Sequence, residues 1–362
     1  MFRKATILQE GQYPSPMAFG FQMVHLWVLL HLLTGPILAG SSKIGVCYGM
    51  LGDNLPSPRE VISMYKSNRI ERIRLYNPNH SALEALRCSG IQVLLGVRNE
   101  EIQQLAASYT AAKNWVQRFI RPYWPDVHFR YLAVGNEVIP GSYATYVLPA
   151  MRNLHYALRI WGLHPHIKVS TSVSTSVMGV SYPPSAGIFA EETLNYMVPI
   201  AHYLNRTGAP LLANIYPYFA YVEDPDDIPL EYALFTSQNV VVQDGNLNYY
   251  NLFDAIVDAL HASLEQAGAP QVPVVVSETG WPSAGDGDVA SNENAYAYNS
   301  NLVRHVLSSC GTPKWPGKPI EAYLFAMFNE NRKQGEAVEQ HWGLFYPNKR
   351  AVYPINFSDE SN

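Results

Sequence analysis

Two apolar, β-branched runs in this chain end in a carboxylate: Tyr131-Leu132-Ala133-Val134-Gly135-Asn136-Glu137-Val138 and Val274-Val275-Val276-Ser277-Glu278-Thr279-Gly280-Trp281-Pro282. Such a run reads as a strand buried in a sheet. A single glutamate at its end has an ordinary explanation, an ion pair with a nearby arginine or a cap on the next helix. Two of them pointing into one cleft from facing walls are the minimal equipment for breaking a glycosidic bond: one protonates the leaving oxygen and the other meets the anomeric carbon. Asn136, directly before Glu137, places an amide where it can bond a sugar hydroxyl beside the reacting carbon. Glu137 is then the expected acid/base, held protonated by partial desolvation and by a second carboxylate nearby. Glu278, close to Trp281 and tyrosine-rich walls, is the expected ionised nucleophile. A carboxyl separation of about 5 to 5.5 Å would retain anomeric configuration, and one of roughly 6.5 to 9.5 Å would admit a water and invert it.

From Lys43 onward, short β-branched runs alternate with longer amphipathic ones, the signature of strand and helix units on a parallel sheet. Strands are expected at 44–49, 70–76, 92–97, 131–138, 168–174, 211–216, 274–279 and 322–329, with helices at 58–68, 81–88, 102–120, 146–161, 192–205, 252–266 and 294–309. Ser57, Pro58 and Glu60 form a helix start, and Gly90, Gly162, Gly208 and Gly268 are placed to close helices. Eight strands in about 315 residues suit one α/β domain, a (β/α)8 TIM barrel. The stretch 229–250, with its Asp244-Gly245 turn, reads as an insertion after strand six that rises over the active face. A doubly wound sheet would show a glycine-rich phosphate loop after its first strand; Cys47-Tyr48-Gly49-Met50-Leu51-Gly52 is not one.

Composition narrows the function classes. A chain that is 48% hydrophobic with a net charge of −5 is built to fold, and without a basic cluster it offers a nucleic acid no footprint. Cys47, Cys88 and Cys310 are too few and too scattered for a zinc or redox site. They are read as buried free thiols, with one disulfide as the alternative. Residues 1–42 read as a cleavable signal peptide with an N-terminal extension: an apolar run at 24–33 is followed by small residues at Ala39 to Ser42. A retained anchor is the alternative, and Met17 and Met23 are alternative starts. Secretion gives meaning to the sequons at Asn79, Asn205 and Asn356. The main domain is expected at 43–357, followed by a short polar tail at 358–362.

The motifs taken together resemble plant glycoside hydrolase family 17, the glucan endo-1,3-β-glucosidases and their 1,3-1,4-β-glucanase relatives. The resemblance rests on Ile44-Gly45-Val46-Cys47-Tyr48-Gly49, Arg74-Leu75-Tyr76, Val134 to Val138, Asn214-Ile215-Tyr216-Pro217-Tyr218-Phe219, Ser277 to Ser283, Phe328 to Lys333, Gly343-Leu344-Phe345 and Val352-Tyr353. It implies the barrel fold, a retaining mechanism, the acid/base at Glu137 and the nucleophile at Glu278. It also marks Glu330, Lys333 and Glu339 as auxiliary charged residues, with Lys333 holding Glu278 ionised and Glu330 bonding substrate hydroxyls. Asn329 stands where family members often carry Asp. Tyr48, Tyr76, Tyr216, Phe219, Trp281 and Phe328 fall at or just past strand ends and are read together as cleft lining on which sugar rings stack.

The expectation is therefore a secreted endo-hydrolase of internal 1,3-β-linkages in a β-glucan polysaccharide, in the cell wall or, alternatively, the vacuole. It would act as a monomer with no cofactor, no metal, no nucleic-acid partner and no membrane anchor after cleavage. Mixed 1,3-1,4-β-glucan specificity and a non-catalytic glucan-binding protein are the rival readings.

Overall fold

The computed structural model describes residues 43–358; the signal-peptide reading of 1–42 and most of the polar tail lie outside the described residues. Eight strands, β1 (Ile44–Tyr48), β2 (Arg72–Leu75), β3 (Gln92–Val97), β4 (His128–Asn136), β5 (Lys168–Ser174), β6 (Leu211–Asn214), β7 (Val274–Thr279) and β8 (Ala322–Leu324), pair in chain order. All their pairings are parallel, and β8 returns to β1 to close the barrel. A parallel strand covered by helices outside and side chains inside is buried on both faces, and β1, β2 and β8 are buried along their whole lengths.

Helices α1 (Pro58–Ser67), α2 (His80–Leu86), α3 (Ile102–Ala107), α4 (Tyr109–Phe119), α5 (Ala144–Ile160), α6 (Glu191–Thr207), α7 (Leu252–Gln266) and α8 (Asn292–Ser308) surround the barrel strands. The expected start of α1 is present: Pro58 opens it and Glu60 accepts from the Ser57 amide at 3.0 Å. The single helix expected over 102–120 is two. Ser108 is extended, with its hydroxyl accepting from Ala111 N, so it ends α3 and caps α4. Strand β8 is shorter than expected. Beyond Leu324 the chain bonds to residues 342–345, through Ala326 N to Trp342 O and Leu344 N to Ala326 O, and builds a rim.

Strands β4 and β7 are not diametrically opposed, as the sequence suggested; β5 and β6 lie between them. The insertion after β6 contains two short helices, Pro217–Glu223 and Leu230–Ala233, and a hairpin, Val242–Asp244 with Leu247–Tyr249. A second inserted hairpin, Met178–Val180 with Ile188–Phe189, follows β5. It was not foreseen, because its strands of three and two residues are too short to show a period. All three cysteines are free, but only Cys47 is buried; Cys88 and Cys310 are exposed, so the buried-thiol reading holds for one.

Helix α7 carries a buried carboxyl, Asp258, that joins three segments. It accepts from Thr312 Oγ1 at 2.5 Å, Lys314 N at 2.9 Å and Tyr249 Oη at 3.0 Å. Burial pushes its pKa up to about 6, against the opposing pull of those three donors. A folded value above the unfolded one means the folded state binds the proton more tightly. The associated stability is full below about pH 4 and is lost as pH rises through 6. The two-unit difference corresponds to about 3 kcal/mol. Asp258→Asn, which cannot ionise, should therefore gain stability relative to the parent by that order between pH 4 and pH 7. Thermal unfolding at the two pH values measures it, and a constant difference would contradict the assignment.

Candidate active site

A cleft of about 1930 Å³ runs across the end of the barrel where the strands finish. Ligands and reactive groups in parallel barrels gather at this face, because the loops that follow each strand converge there. Glu137 reaches it through a turn at the end of β4. Gly135 has φ 85° and Glu137 itself φ 53°. A non-glycine residue in the left-handed region is costly and needs fixing by its surroundings. Here Asn99 bonds both backbone groups of Asn136, accepting from its N at 2.9 Å and donating to its O at 3.1 Å, and Glu137 N donates to Ser172 O at 2.9 Å. The turn swings the Glu137 carboxyl out of the strand and into the cleft.

Glu278 lies on β7, 6% exposed, where the pairing with β6 shifts register between Val276 and Glu278. Its partner comes from the far side of the barrel interior. Arg74 of β2, 1% exposed, places Nη1 at 2.9 Å from Glu278 Oε1. The same guanidinium donates to Asn214 Oδ1 and Ser277 O at 2.9 Å, Asn136 Oδ1 at 2.6 Å and Ser172 Oγ at 3.2 Å. Burial alone would lower the Arg74 pKa, but Glu278 and its neighbours raise it, so it stays a cation. Tyr216 Oη donates to the other Glu278 oxygen at 2.7 Å. Burial first and Glu278 second hold that phenol protonated, well above its ordinary range.

Asn214 of β6 links the two carboxyls. Its Nδ2 donates to Glu137 Oε1 at 2.9 Å and to Asn136 Oδ1 at 3.0 Å, while its Oδ1 accepts from Arg74. Glu137 is open to solvent from the cleft, yet protein atoms crowd the floor beneath it. That partial desolvation, with the charge of Glu278, raises its pKa, and the Asn214 amide and Arg74 only partly oppose this. The two carboxyls thus sit in opposite settings: Glu278 is buried against a cation, and Glu137 faces the cleft without a direct one.

The remaining sequence candidates divide. Tyr48, Tyr76, Tyr216 and Phe219 line the cleft with Asn136, as do Glu330, Lys333 and Glu339. Trp281 does not. It is fully buried, donates Nε1 to Val289 O and packs against Tyr218 and Tyr298 behind the wall. Phe328, 2% exposed and edge-on to Tyr48, is likewise core. The strand-end rule misplaced both because the chain after Glu278 and after Leu324 turns back into packing. Phe325 and Trp342 line the cleft instead, in edge contact with Tyr216. Lys333 serves another partner than the expected Glu278: its Nζ pairs with Glu339 at 2.7 Å and lies 4.2 Å above the Phe325 ring. The cation beside Glu278 is Arg74. Glu330 Oε1 accepts from Leu51 N at 2.6 Å, so one of its oxygens serves to hold the β1 loop. Arg74 and Asn214 received no role from the sequence; their signal was a charged and an amide side chain inside runs otherwise fit for a buried strand.

A closed parallel barrel with two carboxyls in different surroundings at the strand ends of one long cleft is the frame of a glycoside hydrolase. The chain belongs to the glycosyl hydrolases family 17, whose pattern it matches over residues 44–357. It is 53% identical over 319 residues to a glucan endo-1,3-beta-glucosidase, basic isoform, of Phaseolus vulgaris, covering 87% of this chain and 90% of that one. It is 51% identical over 324 residues to a basic vacuolar isoform of that enzyme from Nicotiana tabacum, covering 88% and 87%. A solved structure of a beta-1,3-glucanase and allergen of Cryptomeria japonica pollen superimposes with a TM-score of 0.85 at 46% identity, over 87% of this chain and 99% of that one.

The tuning of Glu137 can be measured directly. Because the Glu278 charge raises it, Glu278→Gln should lower the titration midpoint of a carbon-13-labelled Glu137 carboxyl. An unchanged midpoint would show that the two groups do not sense each other.

Proposed function

We propose that the protein is a retaining endo-hydrolase of internal 1,3-β-D-glucosidic linkages in neutral β-glucans of the laminarin and callose type. What supports the reading above all is the pair of carboxyls in opposite settings, Glu278 against buried Arg74 and Glu137 open to the cleft with a raised pKa. The substrate class rests on the relatives, named as 1,3-β-glucosidases at about half identity across most of their lengths.

In the first step the Glu278 carboxylate attacks the anomeric carbon. The glycosidic bond breaks, and the Glu137 proton passes to the departing oxygen. Tyr216 and Arg74 hold the attacking carboxylate in line. In the second step Glu137, now a base, takes a proton from water as its oxygen adds to the anomeric carbon and Glu278 leaves. Asn136 has its Oδ1 engaged by Arg74 and Asn214, which turns its amide toward the hydroxyl beside the reacting carbon. Tyr48, Tyr76, Phe219, Phe325 and Trp342 offer apolar surface to glucose rings, with Glu330, Lys333 and Glu339 supplying polar contacts at one wall. Glu137 must be protonated to act first, so the alkaline limb of kcat/KM falls as pH rises through its elevated pKa.

We also place the protein on the secretory route, ending outside the cell or in the vacuole, from the character of residues 1–42 and the vacuolar relative.

Four arms test the function. The parent protein should release reducing ends from laminarin, with the β-anomer appearing first by proton NMR, and should act weakly on lichenan. Comparable rates on lichenan would favour mixed-linkage specificity. Glu278→Gln should lose nearly all hydrolysis while still binding oligosaccharide. Glu137→Ala should lose about 10²- to 10⁴-fold on laminarin but little on dinitrophenyl glucosides, whose leaving group needs no proton. Equal losses on both substrates would remove Glu137 from the acid role.

A further inference from the structure

One end of the cleft is not part of the barrel. Its wall comes from the two inserted hairpins, with Tyr182 and Pro184 contributed by the one after β5 and Val241 and Val242 by the one after β6. This end has a core of its own, in which Tyr232, Tyr249 and Ala255 are buried against Ile228, Val242 and Leu247. Both hairpins rest on α7. Gly187 of the first packs so closely that a Cβ there would meet Ala259 O at 2.1 Å, and Tyr249 of the second bonds Asp258. A two-stranded hairpin is marginal by itself, so each draws support from α7 and from its neighbour.

A direct bond joins the two hairpins. Asp244 sits in the Asp-Gly turn of the second, where an aspartate ordinarily bonds its own backbone. Instead both its oxygens cross to the first hairpin: Oδ2 accepts from Ser185 N at 2.7 Å and Oδ1 from Ser185 Oγ at 2.8 Å. The residues are 59 positions apart in the chain, and neither belongs to the cleft lining. Two donors on one carboxylate give a short, oriented, charge-assisted contact. It ties the hairpin that carries Tyr182, 72% exposed at the rim, to the hairpin that carries Val241 and Val242.

We propose that Asp244 is a positioning residue for chain-length preference: through Ser185 it holds the two hairpins as one wall, and that wall engages the remote glucose units of long chains. The proposal rests on the glucan-hydrolase reading given above. Asp244 touches no reacting atom. Its influence is on the binding of polymer and not on the bond-breaking step, because the carboxyl pair is anchored in the barrel by Arg74 and Asn214.

The test compares steady-state constants on laminarin and on laminaritriose for the parent, Asp244→Ala, Asp244→Asn and Ser185→Ala. Loss of a hydrogen bond to a charged group is worth roughly tenfold where it acts in full, so Asp244→Ala should raise KM for laminarin about five- to tenfold. Its kcat on laminarin and both constants on laminaritriose should stay within about twofold. Asp244→Asn keeps one acceptor and Ser185→Ala keeps the backbone donor; each should raise the laminarin KM by a smaller factor. The double variant Asp244→Ala with Ser185→Ala should be no worse than Asp244→Ala alone. Equal changes on both substrates, a fall in kcat alone, or additive effects in the double variant would overturn the proposal. Should Asp244→Ala fail to fold, Ser185→Ala and Asp244→Asn decide it by the same split. A parent protein inactive on laminarin would overturn the underlying reading, whereas an active parent with an unmoved Asp244→Ala would overturn the clasp alone.

Discussion

A buried guanidinium organises this molecule's chemistry. Arg74 lies inside the barrel, almost wholly out of water, where an unpaired cation would be intolerable. Five groups drawn from β4, β5, β6 and β7 answer it: Asn136, Ser172, Asn214, Ser277 and Glu278. Each of those strands must end at the right height for its contact to form, so satisfying one charge sets the relative register of half the ring. Glu278 is consequently presented as a carboxylate with a fixed orientation, and Asn214 is aligned to reach Glu137. Breaking one partner of such a buried pair usually costs several times what the pair contributes net, which makes the arrangement rigid.

At the opposite end of the barrel a second buried ion pair repeats the logic. Arg72, two residues from Arg74 and therefore on the same face of β2, meets Glu321 at 2.8 Å. Arg130 and the hydroxyls of Tyr131 and Tyr323 complete that carboxylate's shell. Here every acceptor is consumed by protein donors and the cluster works as a plug. Near Arg74 the network stays incomplete toward the cleft, where Glu137 is open to solvent. Similar charges thus serve packing at one end and an addressable site at the other, and the difference is access.

Around the site, walls of two kinds meet. The central aromatics Tyr216, Phe219, Phe325 and Trp342 pack in one continuous nest, Tyr216 edge-on to the other three and Phe219 tilted against Trp342, stiff because each ring buttresses the next. The far wall is an addition to the barrel, with its own small core tied by a polar clasp. A stiff centre suits bond-breaking geometry, and a separately built end allows the reach of the cleft to vary without disturbing it.

The amino-acid sequence by itself determined the barrel and the two carboxyls. Period and length separate buried strands from amphipathic helices locally, and a glutamate ending a valine run is visible without coordinates. The insertion after β6 was legible from its turn residues, while the hairpin after β5 was not, its strands being too short for any period. What only the tertiary structure decided is which side chains share a space. Trp281, just after β7, and Trp342, in the rim beyond β8, are the same residue type, yet one is sealed in packing and the other lines the cleft. Lys333 carries the same charge as Arg74, but it pairs with Glu339, whereas Arg74 pairs with Glu278 and with the adjacent Ser277, which lies 203 residues further along the chain. Local pattern is governed by short-range sterics and hydrophobicity. Charge pairing and cleft membership depend on distances created by closing the ring, and no spacing along the chain encodes those.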